Sequence, residues 1–156
     1  MNSSKKAVMD LLWNEPYKIG HWVGFKDLTT LHNEWLRSFL YADEDQTLLA
    51  HRGSYKTTDL SLFLAIHTVI DPNENVMFFR KTDDDVTEVL VQTQKILKAG
   101  CMQQIVRTLY GTDLQFLKEN NSEIHTNLCT STKGVSQVVG LGIGTSITGK
   151  HADIVV

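Results

Sequence analysis

One segment constrains this chain more than any other. Residues 47 to 70, TLLAHRGSYKTTDLSLFLAIHTVI, read as a buried strand, a short loop ending in Lys56-Thr57-Thr58, and an apolar helix. A strand that delivers a loop to a helix N-terminus is the layout of a nucleoside-triphosphate phosphate loop. Successive backbone N–H groups surround the phosphates, and the positive end of the helix faces them. In this reading the amides from Arg52 through Gly53, Ser54 and Tyr55 to Thr58 line an anion cradle. Lys56 reaches the β- and γ-phosphates, and the Thr57 hydroxyl completes the shell of a Mg²⁺ ion. Arg52 is placed to stabilise charge on the γ-phosphate during transfer.

The loop departs from the general pattern GxxxxGK[ST], because Ala50 and Tyr55 stand where glycines are expected. Gly53 keeps one freely rotating position inside the loop. Tyr55 must therefore adopt a negative φ or carry backbone strain. A second segment, GTSITGKH at residues 144 to 151, fits both glycines and the lysine better but fails on context. His151 replaces the magnesium-binding hydroxyl, and the ADIVV that follows is a strand rather than a helix. Residues 144 to 150 are expected to form a turn between strands.

The remaining sequence bounds the class of protein. A chain of 156 residues, 42% hydrophobic and 21% charged, is about one domain with a substantial core. A formal charge of −3 gives no overall attraction for nucleic acid or anionic membrane, so any DNA contact must be local. Cys101 and Cys129 are the only cysteines, and no His/Cys cluster has zinc-ligand spacing, which predicts free buried thiols in a reducing compartment. The start, MNSSKKAVMDLLW, is too short in its apolar part for a signal peptide. No run approaches the roughly 20 apolar residues of a membrane span, so a cytosolic location is expected.

Along the chain, residues 5 to 13 predict a short amphipathic helix and 15 to 26 irregular chain. Asp27 is expected to cap a helix with Leu28, Leu31, Trp35, Leu36, Phe39 and Leu40 on one face. After the loop helix, Asp71-Pro72 is a stop. NVMFFR is a strand, and Thr82 with Asp85 resembles a capping box for a helix whose inner positions are Val86, Val89, Leu90, Thr93 and Leu97. Two successive strand-helix units predict parallel strands with a right-handed crossover. A helix at 102 to 110, two strands around Asn120-Asn121, β-structure in GVSQVVGLGIGTSITG and a final strand in ADIVV complete the reading. Asp83-Asp84-Asp85 is explained by a helix N-terminus, which welcomes acidic residues without any metal. Lys150, just before the final strand, is a candidate for action on a neighbouring subunit's nucleotide, with a plain turn lysine as the simpler account.

Three segments together resemble the ATPase domain of the large terminase subunit of tailed double-stranded-DNA bacteriophages. HRGSYKTT is similar to that family's divergent phosphate loop, with an Arg four residues before the Lys, here Arg52 and Lys56. VGFKDLTTLHNEWL resembles the segment preceding the loop. FFRKTDDDVTEVLVQTQKIL with GTSITGKHADIVV resembles the second strand-helix unit and the approach to the Walker B strand.

The resemblance implies an α/β fold of the P-loop NTPase type, a mainly parallel sheet flanked by helices with added β-strands in the C-terminal part. Residues 1 to 156 would be one partial domain, with 1 to 45 an N-terminal helical segment packed on it. It implies ATP and Mg²⁺ as ligands, ATP hydrolysis that drives DNA into capsids, and a homo-oligomeric ring in the host cytoplasm. Double-stranded DNA, the small terminase subunit and the portal protein would be partners; no membrane would be involved. In the family, the strand corresponding to ADIVV runs into paired acidic residues, and this chain stops at Val156. The chain is therefore expected to be a piece of a longer protein that alone binds nucleotide weakly and hydrolyses it poorly. No glutamine precedes Gln46 to read adenine as the family's often does; Tyr17, Trp22 and Phe25 are candidates to stack on a base. The competing readings are a helicase-like P-loop ATPase and a non-hydrolysing nucleotide-binding or structural module.

Overall fold

The computed structural model describes residues 2–146 and 150–156. Its elements in order are helices α1 (Ser3–Asn14), α2 (Tyr17–Trp22), α3 (Thr30–Tyr41) and α4 (Lys56–Ile70), strand β1 (Val76–Arg80), and helices α5 (Asp83–Lys98) and α6 (Gly100–Tyr110). Strands β2 (Phe116–Glu119), β3 (Glu123–Thr126), β4 (Val138–Gly142) and β5 (Ile154–Val155) follow. The five strands form one sheet in the order β2-β3-β4-β1-β5. β1 lies parallel to both β4 and β5, with Val76 opposite Val138 and Ile154, while the β2-β3 hairpin and the β3-β4 pair are antiparallel. The fold is thus α/β with a mixed sheet.

Alternation along the strands sorts the side chains between two faces. Val76, Phe78, Val138 and Ile124 join a large core with residues from all six helices, among them Leu12, Ile19, Leu36, Leu64, Leu90 and Met102. Met77, Val139 and Leu141 point the other way into a small cluster with Phe79, Val135 and Ala152, to which no helix contributes. The helices therefore cover one face of the sheet, and loop residues cover the other.

α4 is the centre of the core. Eleven of its residues are buried, because α3 and α2 cover one side and α5 the other, so it is apolar nearly all round. α5 is amphipathic in the ordinary way, and all five of its expected inner positions are buried. Thr82 accepts a hydrogen bond from the Asp85 amide at 3.1 Å, and the three first-turn aspartates sit at the positive end of the helix dipole. Gly111 closes α6 with φ 70°. Among the described residues, no helix is long and apolar enough to cross a membrane. Cys101 and Cys129 are free, and both are partly rather than fully buried.

Three local expectations are corrected. Residues 15 to 26 are not all irregular: Pro16, with φ −59°, leads into α2, whose Gly20 lets Leu28 and Leu62 approach closely. Asp27 is not the cap of α3. Thr29 takes that place with His32 in a reciprocal capping box, and the inward positions are His32 and Leu36, while Leu31 is 49% exposed. The strand expected before the loop does not form. Leu49 is 91% exposed, and residues 45 to 51 pair with no described strand. A strand needs a neighbour's free N–H and C=O row. Both flanks of β1 are taken by β4 and β5, and a groove of about 530 Å³ separates Asp45 and Gln46 from β5. The first of the two expected strand-helix units is therefore a loop-helix unit.

Candidate functional site

The loop that delivers α4 has two residues at positive φ, Gly53 (82°) and Tyr55 (57°, ψ 21°). At Gly53 a side chain would meet nothing, so the requirement there is conformational alone. Tyr55 is the one non-glycine residue with positive φ among the described residues. It carries the strain anticipated for a side chain at a glycine position. The surrounding structure holds it there. The Tyr55 hydroxyl donates to Asp27 Oδ2 at 2.9 Å, and its ring stands edge-on to His32 at 5.8 Å. His32 is itself fixed, its Nδ1 accepting from the Thr29 amide at 2.9 Å. The neighbouring Asp27 carboxylate raises the Tyr55 phenol pKa, because it hydrogen-bonds the protonated form and repels the phenolate.

Lys56 opens α4 and turns back over the loop. Its Nζ donates to the carbonyls of Ala50 at 2.5 Å and His51 at 2.6 Å, with Ser54 Oγ at 3.5 Å. Ser54, 7% exposed, donates in turn to the His51 carbonyl at 2.7 Å. The ammonium is thus ringed by neutral oxygens and makes no ion pair among the described residues.

No side chain caps the N-terminus of α4, so the amides of Lys56, Thr57 and Thr58 begin the helix without a built-in acceptor; the first intrahelical bond runs from Asp59 N to Tyr55 O. The Thr57 hydroxyl, unlike those of Ser61 and Thr68, does not bond back to its own helix. Arg52 and His51 are exposed on the rim. Among the described residues, the uncapped amides, a lysine with no carboxylate partner and the Thr57 hydroxyl, which has no hydrogen-bond partner, are the groups that could hold a phosphate and a magnesium ion.

The structure adds a residue that sequence reasoning missed. Asp59 is 0% exposed, and neither of its carboxylate oxygens has a hydrogen-bond partner among the described residues. Burial pushes its pKa up to about 7. It lies one turn before Phe63, whose ring meets Phe39 of α3 at 6.2 Å. An acidic residue inside the otherwise apolar run LSLFLAI and its lead-in was the available signal.

Other candidates lie apart from the loop or play structural parts. Trp22 is 54% exposed, Tyr17 packs edge-on to His21 at 4.9 Å, and Phe25 packs against the core. Lys150 is exposed and, with Asp83, Gly142 and Thr145, lines a cleft of about 500 Å³ beyond the end of β4. Of the expected turn at 144 to 150, Gly144 has φ 101°, and residues 147–149 lie outside the described residues. Asp153 accepts from the Asn75 amide at 2.9 Å and pairs with Lys133 at 3.1 Å, so it ties β5 to its neighbours. No protein-family model matches this chain, and no curated protein or solved structure is found to be similar to it.

Proposed function

We propose that this chain is the ATP-binding and ATP-hydrolysing segment of a phage terminase large subunit, the motor that drives viral DNA into capsids. One observation carries the reading. The residue immediately before Lys56 adopts the left-handed conformation that the phosphate-loop pattern assigns to glycine, although it is a tyrosine, and the helix that follows has a free N-terminus. The end of β5 supports it: Val156 and Leu60, the latter one turn beyond Lys56, line the same groove.

In this reading Lys56 exchanges the Ala50 and His51 carbonyls for the β- and γ-phosphate oxygens, and the amides from Gly53 to Thr58 hold the remaining charge. Arg52, exposed and in no ion pair among the described residues, would turn onto the γ-phosphate as charge develops there. Thr57 is the residue that would hold Mg²⁺, which when bound neutralises charge on the β- and γ-oxygens. DNA, the small terminase subunit and the portal protein are the partners of the whole motor in this proposal.

Calorimetric titration with ATP and Mg²⁺ tests it. Lys56→Ala is expected to abolish detectable binding, and unchanged affinity would rule the site out. Lys56 bonding to its own loop favours a second reading, a structural module in which the lysine only closes the loop. In that case the wild-type chain binds no nucleotide, and Lys56→Ala merely lowers the thermal midpoint.

A further inference from the structure

At the far end of α4 the chain brings three metal-ligating side chains together. His67 lies in the last turn, Asp71 ends the helix, and Glu74 closes the turn that follows. The rise of about 1.5 Å per residue places His67 roughly 16 Å along the helix from Lys56. One donor atom from each of the three residues lies within 4.8 Å of the others. We propose that His67, Asp71 and Glu74 form a binding site for a first-row divalent transition metal ion of the zinc class, which clamps the turn between α4 and β1.

The geometry of the imidazole argues for it. His67 is 2% exposed, and its ring packs on Phe63 at 5.5 Å. Its Nε2 is aimed at Glu74 Oε2, 3.2 Å away. Two ligands of a tetrahedral zinc ion, each about 2.0–2.2 Å from the metal, stand roughly 3.4 Å apart. Nitrogen and oxygen are thus already near the separation that a shared ion requires.

Asp71 and Glu74 are exposed, and no lysine or arginine pairs with either among the described residues; the nearby Asp153 is engaged by Lys133. The helix C-terminus adds the negative end of its dipole at the same place. Exposure of both carboxylates also leaves an entry path and an open coordination position for water. An imidazole with two carboxylates suits zinc and its neighbours, whereas Mg²⁺ and Ca²⁺ take oxygen ligands.

Hydrogen bonds tie the turn down before any ion arrives. The Asp71 amide bonds His67 O at 2.9 Å, and the Glu74 amide bonds Asp71 O at 3.1 Å. Asn73 Oδ1 accepts from the amides of Thr130 and Ser131, and Gln137 Nε2 donates to the Pro72 carbonyl at 2.9 Å. Ligands held by such supporting bonds bind without first having to be ordered.

The test is titration of chelator-stripped, tag-free protein with Zn²⁺ by calorimetry, in the absence of nucleotide, so that it does not depend on the phosphate loop. Saturable binding of a single equivalent is expected, with a higher thermal midpoint and no competition from excess Mg²⁺. Glu74→Gln and Asp71→Asn, both exposed and tolerant of change, should each weaken binding by at least about tenfold. His67→Gln should abolish it, and because that side chain is buried, the two carboxylate variants decide the matter if it fails to fold. Absence of saturable binding, or binding equal to wild type in both carboxylate variants, overturns the proposal and assigns any uptake to surface histidines such as His51 and His151.

Discussion

The hydroxyl of Tyr55 donates to Asp27 Oδ2 at 2.9 Å, joining the loop before α4 to the segment before α3 across 28 positions of sequence. A tyrosine with left-handed backbone is thereby held by its own side chain, which a glycine at the same place lacks. Strain at one residue is offset by an anchor that runs to the N-terminal helices.

The anchor predicts coupled effects at positions 27 and 55. Tyr55→Phe and Asp27→Asn should each speed amide exchange in residues 52 to 56, and the double variant should be no worse than either single one. Tyr55→Gly should fold with a higher thermal midpoint than Tyr55→Ala, since alanine keeps the strained Cβ without the anchor. Strictly additive losses, or equal midpoints for glycine and alanine, would contradict the account.

Asp59 predicts a pH dependence with a definite sign. Its pKa is raised from 3.8 to about 7 in the folded state, so the native chain holds a proton that the unfolded chain has released. Stability from this group is undiminished below pH 4, falls as pH rises from 4 to 7, and is level above. A rise of that size corresponds to on the order of 4 kcal/mol. Asp59→Asn removes the titration, so urea denaturation should show the variant gaining on wild type across that window. Parallel curves from pH 4 to 8 would sink the idea.

Gly140 has no room for a side chain. A Cβ there would sit 2.5 Å from Val86 Cγ1 and 2.6 Å from Phe78 Cζ, between β4 and α5. Gly140→Ala should therefore destabilise by about 1–3 kcal/mol through overpacking, read as a lower urea midpoint at unchanged slope. A midpoint equal to wild type would show that the contact relaxes freely.

Two leucines separate a true core position from a merely apolar one. Leu64 is 0% exposed, and Leu64→Ala should cost about 2–5 kcal/mol. Leu49 is 91% exposed, and Leu49→Ser should stay within about 0.5 kcal/mol of wild type. A large loss at Leu49 would mean that TLLA is buried in a strand after all.

Local signals explain what was readable in advance. Val86, Val89, Leu90, Thr93 and Leu97 repeat at helical spacing, Thr82 offers a hydroxyl to the Asp85 amide, and Asn120-Asn121 separates two alternating runs; each is a property of a few adjacent residues. The apolar stretch TLLA carried the same kind of signal and misled, because pairing is decided by a partner strand far away in sequence. Asp27 misled as a cap for a related reason: Thr29 and His32 satisfy each other, which frees the Asp27 carboxylate for Tyr55.

By itself the sequence determined that Lys56 and Thr57 begin a buried helix, that β1 and α5 follow it, and that a hairpin and further strands come after them, since helix and strand periodicity and caps act within a few residues. Only the tertiary structure decided that Tyr55 takes a glycine's conformation, that Lys56 closes its loop through two carbonyls, that Asp59 is sealed with no hydrogen-bond partner among the described residues, and that His67 meets Asp71 and Glu74 around one point. Each of these depends on what neighbouring elements leave open or exclude from water, and that is fixed by packing at a distance rather than by residue order.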